Sequence, residues 1–519
     1  MKNKWASTGA LCLAVFCQTY LALSAFTYSG FMAIFLIPGL TPETAGSRAG
    51  LISSSYMIGR TLSAYSWGVI ADTIGRKPVF YASFIVPAIF SIWFGMAQSL
   101  SSALFARFMM GVANGLMMVA KTTVSELAKG DDDLEAKGMG LVMGMWGWGY
   151  LICPAISGVL SDPLKQYPDL AIVQLFEPFL AKYPFLLPNL VSVLLCAAGT
   201  AAVYFFVEET LPKENLRSIS SVLKEYQNEL ERKILSLRQG TMGGSNEELL
   251  SLKKSAQEKE NYVDVEKSVD TSAGDFCQES KAGVEAIKPS MSSLWARGGT
   301  RDHLVCFWLL SYASIIVDEG FPLFCMAKYG GLNVEEIDIG KLLSGAGLLF
   351  VLGQYSSYSY VMSRFGLYAS QIIGMLLGTP ITILMPFALY LDRGRSEENR
   401  LTTSAYLFIC IIYGIKNIAN NISTSSISIA TNRSVPANQR ATVNGLSQVG
   451  VSAVRAIGPI CAGFLVSFLL GGSVFAPSTG VIILFCIISF LGLGPALYFQ
   501  LFMSKYYNKD GSLKGELSN

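Results

Sequence analysis

Apolar stretches of about 20 residues or more recur along this chain, separated by short charged loops. A membrane-crossing helix needs roughly that many residues. Six such stretches precede residue 208, at about 10–37, 50–71, 78–97, 101–122, 138–160 and 185–207. Six more follow residue 302, at about 304–326, 340–362, 367–391, 402–430, 441–468 and 474–503. The pattern predicts an all-α membrane protein of twelve transmembrane helices in two six-helix halves. The expected organisation is a half over 1–207, a cytosolic central loop over 208–302, a second half over 303–505 and a cytosolic tail over 506–519.

Composition supports this reading. Of 519 residues, 51% are hydrophobic and 15% charged, against about 25% charged in soluble proteins. The net charge of +2 gives no sign of nucleic-acid binding. Ten cysteines, mostly inside apolar stretches, and a single histidine, His303, offer little for a disulfide framework or a zinc site. The first apolar run is longer than the core of a signal peptide, so a retained helix is expected. With both termini in the cytosol, Lys and Arg outnumber those of the outer loops, as the positive-inside rule requires. In the central block, Leu216, Ile219, Leu223, Tyr226, Leu230, Ile234 and Leu237 step by three and four, which predicts an amphipathic helix. The stretch 246–288 reads as a disordered tether.

Several motifs carry mechanism. Gly68, Asp72, Gly75, Arg76 and Lys77 form G-x-x-x-D-x-x-G-R-K after helix 2. This stretch resembles the loop motif between helices 2 and 3 of major facilitator carriers. Gly68 is expected to permit close helix approach and Gly75 a tight turn. The resemblance implies that Asp72 lies near the N-terminal end of helix 11, where the helix dipole favours a carboxylate, and that the motif acts as a breakable gate between halves. In helix 5, Gly149, Pro154 and Gly158 combine tight packing with a bend. Pro459 and Gly463 repeat the pattern in helix 11, and Ser363 to Gly366 repeats Asp72 to Gly75. Two matched pairs in the same order suggest parallel repeats with a substrate path between them.

Ionisable residues inside the membrane are functional candidates because they are costly there. Arg107 in helix 4, Glu126 at its inner end, and Asp318 and Glu319 in helix 7 are candidates for proton coupling. Glu319 is the favoured carrier, since helix 1 has no acidic residue. Arg60, Lys121, Trp146, Lys416, Asn417 and Arg455 are expected to line the substrate cavity. Lys416 is placed to meet an anionic substrate group or to pair with Glu319.

Together these stretches resemble the zinc-induced facilitator-like family, a drug:proton antiporter branch of the major facilitator superfamily. Further matches are the run from Trp67 to Pro78, Gly111 to Gly115, Trp146 to Gly149, Glu209 to Pro212, Tyr329 to Leu332, Asn444 to Ser447 and Ala456 to Pro459. The resemblance implies the major facilitator fold and export of an organic ion, metal chelator or monovalent cation, in exchange for protons, across a vacuolar or plasma membrane. The family's Cys-rich N-terminal signature and the His-bearing segment of its central loop are missing, and Arg455 stands where Lys is expected, so direct zinc handling is not expected.

The leading expectation is a monomeric secondary transporter working by alternating access. Its partners are the lipid bilayer, protons and a small-molecule or ion substrate, with no nucleic acid, no cofactor and no metal. The alternatives are an uncoupled facilitator and a transport-dead sensor using the central loop. No nucleophile–base set or P-loop suggests an enzyme.

Overall fold

The structure is a computed structural model that describes residues 4–128, 131–211, 295–394, 401–435, 440–472 and 474–508. The expected amphipathic helix and tether of the central block lie outside the described residues. Among the described residues, ten helical segments are long and apolar enough to cross a membrane. Counting passes gives twelve, for two reasons. Gly46–Ile74 has the length to cross but is rich in Ser and carries Arg48 and Arg60, so hydropathy alone passes over it. Glu336–Leu377 is two helices joined at Gly366, where φ is +75°.

In chain order the helices are α1 (Lys4–Thr27, continued by Ser29–Leu36), α2 (Gly46–Ile74), α3 (Arg76–Gly95), α4 (Leu100–Leu127), α5 (Asp132–Leu160) and α6 (Leu186–Phe206). The second half holds α7 (Gly298–Met326), α8 (336–365), α9 (367–377, extended by short turns to Leu391), α10 (Thr403–Arg433), α11 (Arg440–Leu470) and α12 (Pro477–Tyr498). These bounds lie within about six residues of the expected ones. Helix α7 begins five residues inside the stretch assigned to the central loop.

Local chemistry sets the breaks. Ser99 caps α4 by accepting from the Ser102 amide at 3.3 Å, and Asp131 caps α5 by accepting from Leu134 at 3.0 Å. Helix α1 narrows to a 3-10 turn at Ser24–Thr27, and the Thr27 hydroxyl bonds Ser157 of α5 at 2.9 Å. Helix α4 opens at Ala113–Gly115. There the Gly115 amide donates to Ser83 Oγ at 3.1 Å and the Met117 amide to Gln18 Oε1 at 2.7 Å. Backbone groups freed inside a membrane must find such partners.

The repeat read from sequence is present in three dimensions. Gly75 ends α2 with φ +103° and Gly366 ends α8 with φ +75°, so the same left-handed turn closes the same helix of each half. Within each half the first helix closes against the chain leaving the last. Ser7 Oγ donates to the Phe206 carbonyl at 2.6 Å, and Tyr506 donates to Asp302 at 2.9 Å.

The halves meet mainly through α5 against α8 and α11 against α2. A methyl added at Gly340 of α8 would sit 2.6 Å from the Pro154 carbonyl oxygen, and one at Gly158 would sit 2.8 Å from that of Glu336. In the equivalent way and closer still, a methyl added at Gly50 of α2 would meet the Pro459 carbonyl oxygen, and one at Gly463 of α11 would meet that of Gly46. Small residues let these backbones touch. The same principle operates inside the first half, where an added methyl at Gly111 of α4 would meet the Tyr56 carbonyl and lie 3.0 Å from the Arg60 amide. Gly111→Val should therefore lower stability by about 1–3 kcal/mol in thermal unfolding of the purified protein. Gly9→Val, where an added methyl meets nothing within 4 Å, should leave stability unchanged. Equal effects would contradict the packing described.

Candidate functional site

The site lies where the seams between halves cross the middle of the helix bundle. Asp318 of α7 is its hub. Its side chain pairs with Lys416 of α10, and both are buried. Tyr413 donates to Asp318 Oδ1 at 2.8 Å, and Ser314 approaches Oδ2 at 3.5 Å. Tyr150 of α5 reaches the same Oδ2 at 3.5 Å from the other half. Lys416 also donates to Asn417 Oδ1 at 3.2 Å and lies 4.8 Å from the centre of the Tyr413 ring. A buried charge pair survives only with such added hydrogen bonds.

Glu319, the next residue, does not share this network. Adjacent residues of a helix point about 100° apart, so Glu319 turns toward α2 and α4, where it faces Ser53 and Arg107. It is buried, and its Oε1 has no hydrogen-bond partner. The expected Lys416–Glu319 pairing is thus corrected to Lys416–Asp318. Arg107 does not reach for the membrane surface. It is buried, donates to the Leu21 carbonyl of α1 at 2.8 Å, and stacks over Tyr56 at 4.8 Å and Phe94 at 5.3 Å.

A small cavity beside Asp318 is lined by Leu23, Met57, Trp146, Tyr150 and Arg455, so residues of both halves share it. Arg60 and Lys121 stand further along α2 and α4. Neither they nor Arg455 forms a hydrogen bond or ion pair through its side chain with any described residue. Among the described residues no group of three or more His, Cys, Asp or Glu side chains is placed to hold a metal.

The loop motif is built differently from expectation. Asp72 is 74% exposed and pairs with Arg76 at 3.0 Å, so it is not held against α11. Gly68 makes no close approach, since an added methyl would find only the Met118 side chain at 3.6 Å. Gly75 does make the expected turn. Arg76 is buried and pairs with Glu126 at 2.8 Å, which places Glu126 in this cluster rather than beside Glu319. Glu209, after α6, accepts from the amides of Arg76 and Lys77 at 2.8 and 2.9 Å, and so caps α3. The α2 and α11 helices therefore join near Gly46 and Gly463, while Asp72, Arg76 and Glu126, at the far end of α2, pair among the described residues within their own half. Gly149 packs on Thr19 of α1, and Gly147 on Gln354 of α8.

Sequence reasoning missed the latches on the joined face. Glu43 is buried, and its Oε1 accepts from the amides of Lys328 at 3.0 Å and Tyr329 at 3.1 Å, across the halves. Lys165 pairs with Glu335 at 3.2 Å and reaches the buried Glu336 at 3.9 Å, again across the halves. Glu43 and Lys165 sit in short polar segments with no motif to mark them, and their partners are remote in sequence.

Comparison with known proteins agrees with this architecture. The chain is 25% identical to Protein ZINC INDUCED FACILITATOR-LIKE 1 of Arabidopsis thaliana, over 95% of this chain and 91% of that one. It is 26% identical to the Major facilitator superfamily multidrug transporter mfsB of Aspergillus fumigatus, over 88% and 77%. Among solved structures, a bacterial homologue of the human lysosomal transporter Spinster superposes with TM-score 0.61 at 13% identity, covering 98% of both chains. The family model of the Major Facilitator Superfamily matches residues 19–459, and the chain belongs to that superfamily of multi-pass membrane transporters.

Proposed function

We propose that this transporter exports a small polar or charged solute in exchange for protons, by alternating access between its halves. The observation that carries the reading is Glu319. It is a buried carboxylate at the half interface with an unpartnered oxygen, one residue from an Asp318 already neutralised by Lys416. Intramembrane carboxylates of this kind mark proton relays. Asp318 supplies the link to the other half, because Tyr150 reaches it across the seam. Protonation of Glu319 and closure around the solute are then sensed by adjacent residues of one helix.

With both termini cytosolic, the face joined by Gly46, Gly463, Glu43 and Lys165 is the outer one, and the arrangement described is inward-facing. In the opposite state these contacts part, and the loop motif of Gly68, Asp72, Gly75, Arg76 and Lys77 comes against α11 as the inner gate. The similarity to zinc-induced facilitator-like and multidrug transporters supports efflux of a small solute. The uncoupled alternative differs in one respect: it gives Glu319 no part in driving flux.

In proteoliposomes with an imposed pH gradient, Glu319→Gln should reduce gradient-driven uptake at least about tenfold while solute counterflow at equal pH persists. An unchanged response to the gradient would remove Glu319 from the mechanism. Glu43→Ala deletes an acceptor serving two cross-half amides, and hydrogen bonds to a charged group contribute about 1.5–3 kcal/mol. It should raise the maleimide reactivity of a cysteine placed at Ala49, buried on the seam, about tenfold. Unaltered reactivity would show that Glu43 does not hold the outer face shut.

A further inference from the structure

The middle of the bundle carries more positive than negative charge. Among the described residues near the seam, Arg60, Arg107, Lys121, Lys416 and Arg455 are cationic, and Asp318 and Glu319 are anionic. Lys416 is engaged by Asp318. Arg107 is held by the Leu21 carbonyl and two aromatic rings, and its charge acts on Glu319. Arg60, Lys121 and Arg455 remain without a partner among the described residues.

These three are grouped rather than scattered. Arg60 lies within electrostatic reach of both Lys121 and Arg455. Arg60 belongs to α2 and Arg455 to α11, the pair of helices that forms one of the two seams. Each stands about midway along its helix, too far from either end to be a topology-setting charge at the membrane surface. Like charges facing each other away from bulk water are unfavourable, and a protein retains them where a ligand of opposite sign completes the set. Two further observations point to such a ligand. Arg455 lines the small cavity with Trp146 and Tyr150, and its buried Nε has no acceptor. Gln354, against Gly147 and so next to Trp146 in α5, holds a second buried donor, Nε2, with no acceptor.

We propose that Arg60, Lys121 and Arg455 form an anion site shared between the halves, and that the exported solute carries a carboxylate, sulfonate or phosphate group. This rests on the transporter reading above and names its substrate class. A planar guanidinium from each half can grip one oxyanion with paired hydrogen bonds. The bound anion cancels the repulsion between Arg60 and Arg455 and so permits α2 and α11 to approach each other at that level, while the unloaded site resists that approach.

The test is binding by the purified full chain in detergent, at fixed pH and low ionic strength, read as a ligand-induced rise in melting temperature. The probes are p-aminohippurate, benzenesulfonate and phenyl phosphate, with tetraethylammonium and glucose as controls. At least one anion should stabilise the protein saturably, the controls should not, and sulfate should compete. Arg60→Gln and Arg455→Gln should each weaken that anion at least about tenfold, with Lys at either position restoring part of the loss, while Lys182→Gln, at an exposed lysine between α5 and α6, should have no effect. Stabilisation by a control and by none of the anions, no anion binding at all, or unchanged affinity in Arg455→Gln would overturn the proposal. Should the Gln variants fail to fold, sulfate competition and the Lys variants in the same assay decide it. Because no pH gradient is used, anion binding without gradient-driven flux would keep this site and remove proton exchange.

Discussion

Backbone contact between helices of opposite halves is the constraint on which the rest of the structure depends. Pro154 and Gly158 of α5 meet Glu336 and Gly340 of α8, and Pro459 and Gly463 of α11 meet Gly46 and Gly50 of α2. A membrane gives helices little hydrophobic reason to associate, so close packing and polar contacts must hold them. These two seams are built from equivalent positions of the two repeats. They form a matched pair of close contacts, one along each seam.

The charged groups are arranged around that geometry. On the joined face, Glu43 and Lys165 add polar latches across the halves. On the far face, among the described residues, Asp72, Arg76, Glu126 and Glu209 bond within the first half. Between them, Asp318 ties α7 to α10 and touches α5, while Glu319 is left with an unsatisfied oxygen. The proposed exchange gives each layer a physical reason to change: latches can break, the far-face motif can find new partners, and the central carboxylate can exchange its proton. The uncompensated cations Arg60, Lys121 and Arg455 extend the same logic to the solute.

Much of this was legible in the chain because bilayer thickness imposes segment length and because glycine and proline mark close contacts. Gly75 and Gly366, paired by sequence, share a left-handed backbone, and the Pro154 and Pro459 motifs pack alike. Hydropathy alone undercounts α2, which is rich in serine and carries two arginines. What stayed hidden depended on side-chain direction and on contacts distant in sequence. Nothing in the adjacency of Asp318 and Glu319 tells which one faces Lys416; only the helical phase does. Asp72 was expected beside α11 because the motif describes a gate, yet a gate has two states, and one sequence does not say which is adopted. Glu43 and Lys165 carried no motif because their partners include backbone amides and remote loops.

The central claim is that the two mouths open in alternation. Its most direct test is a pair of distance measurements by spin labelling, in a background lacking reactive native cysteines. One pair, at Arg48 and Phe468, reports the joined face, and the other, at Ser66 and Gly445, reports the opposite one. When pH or bound solute is varied, the account predicts that one distance lengthens as the other shortens. Distances that move together, or that both stay fixed while transport proceeds, would contradict it.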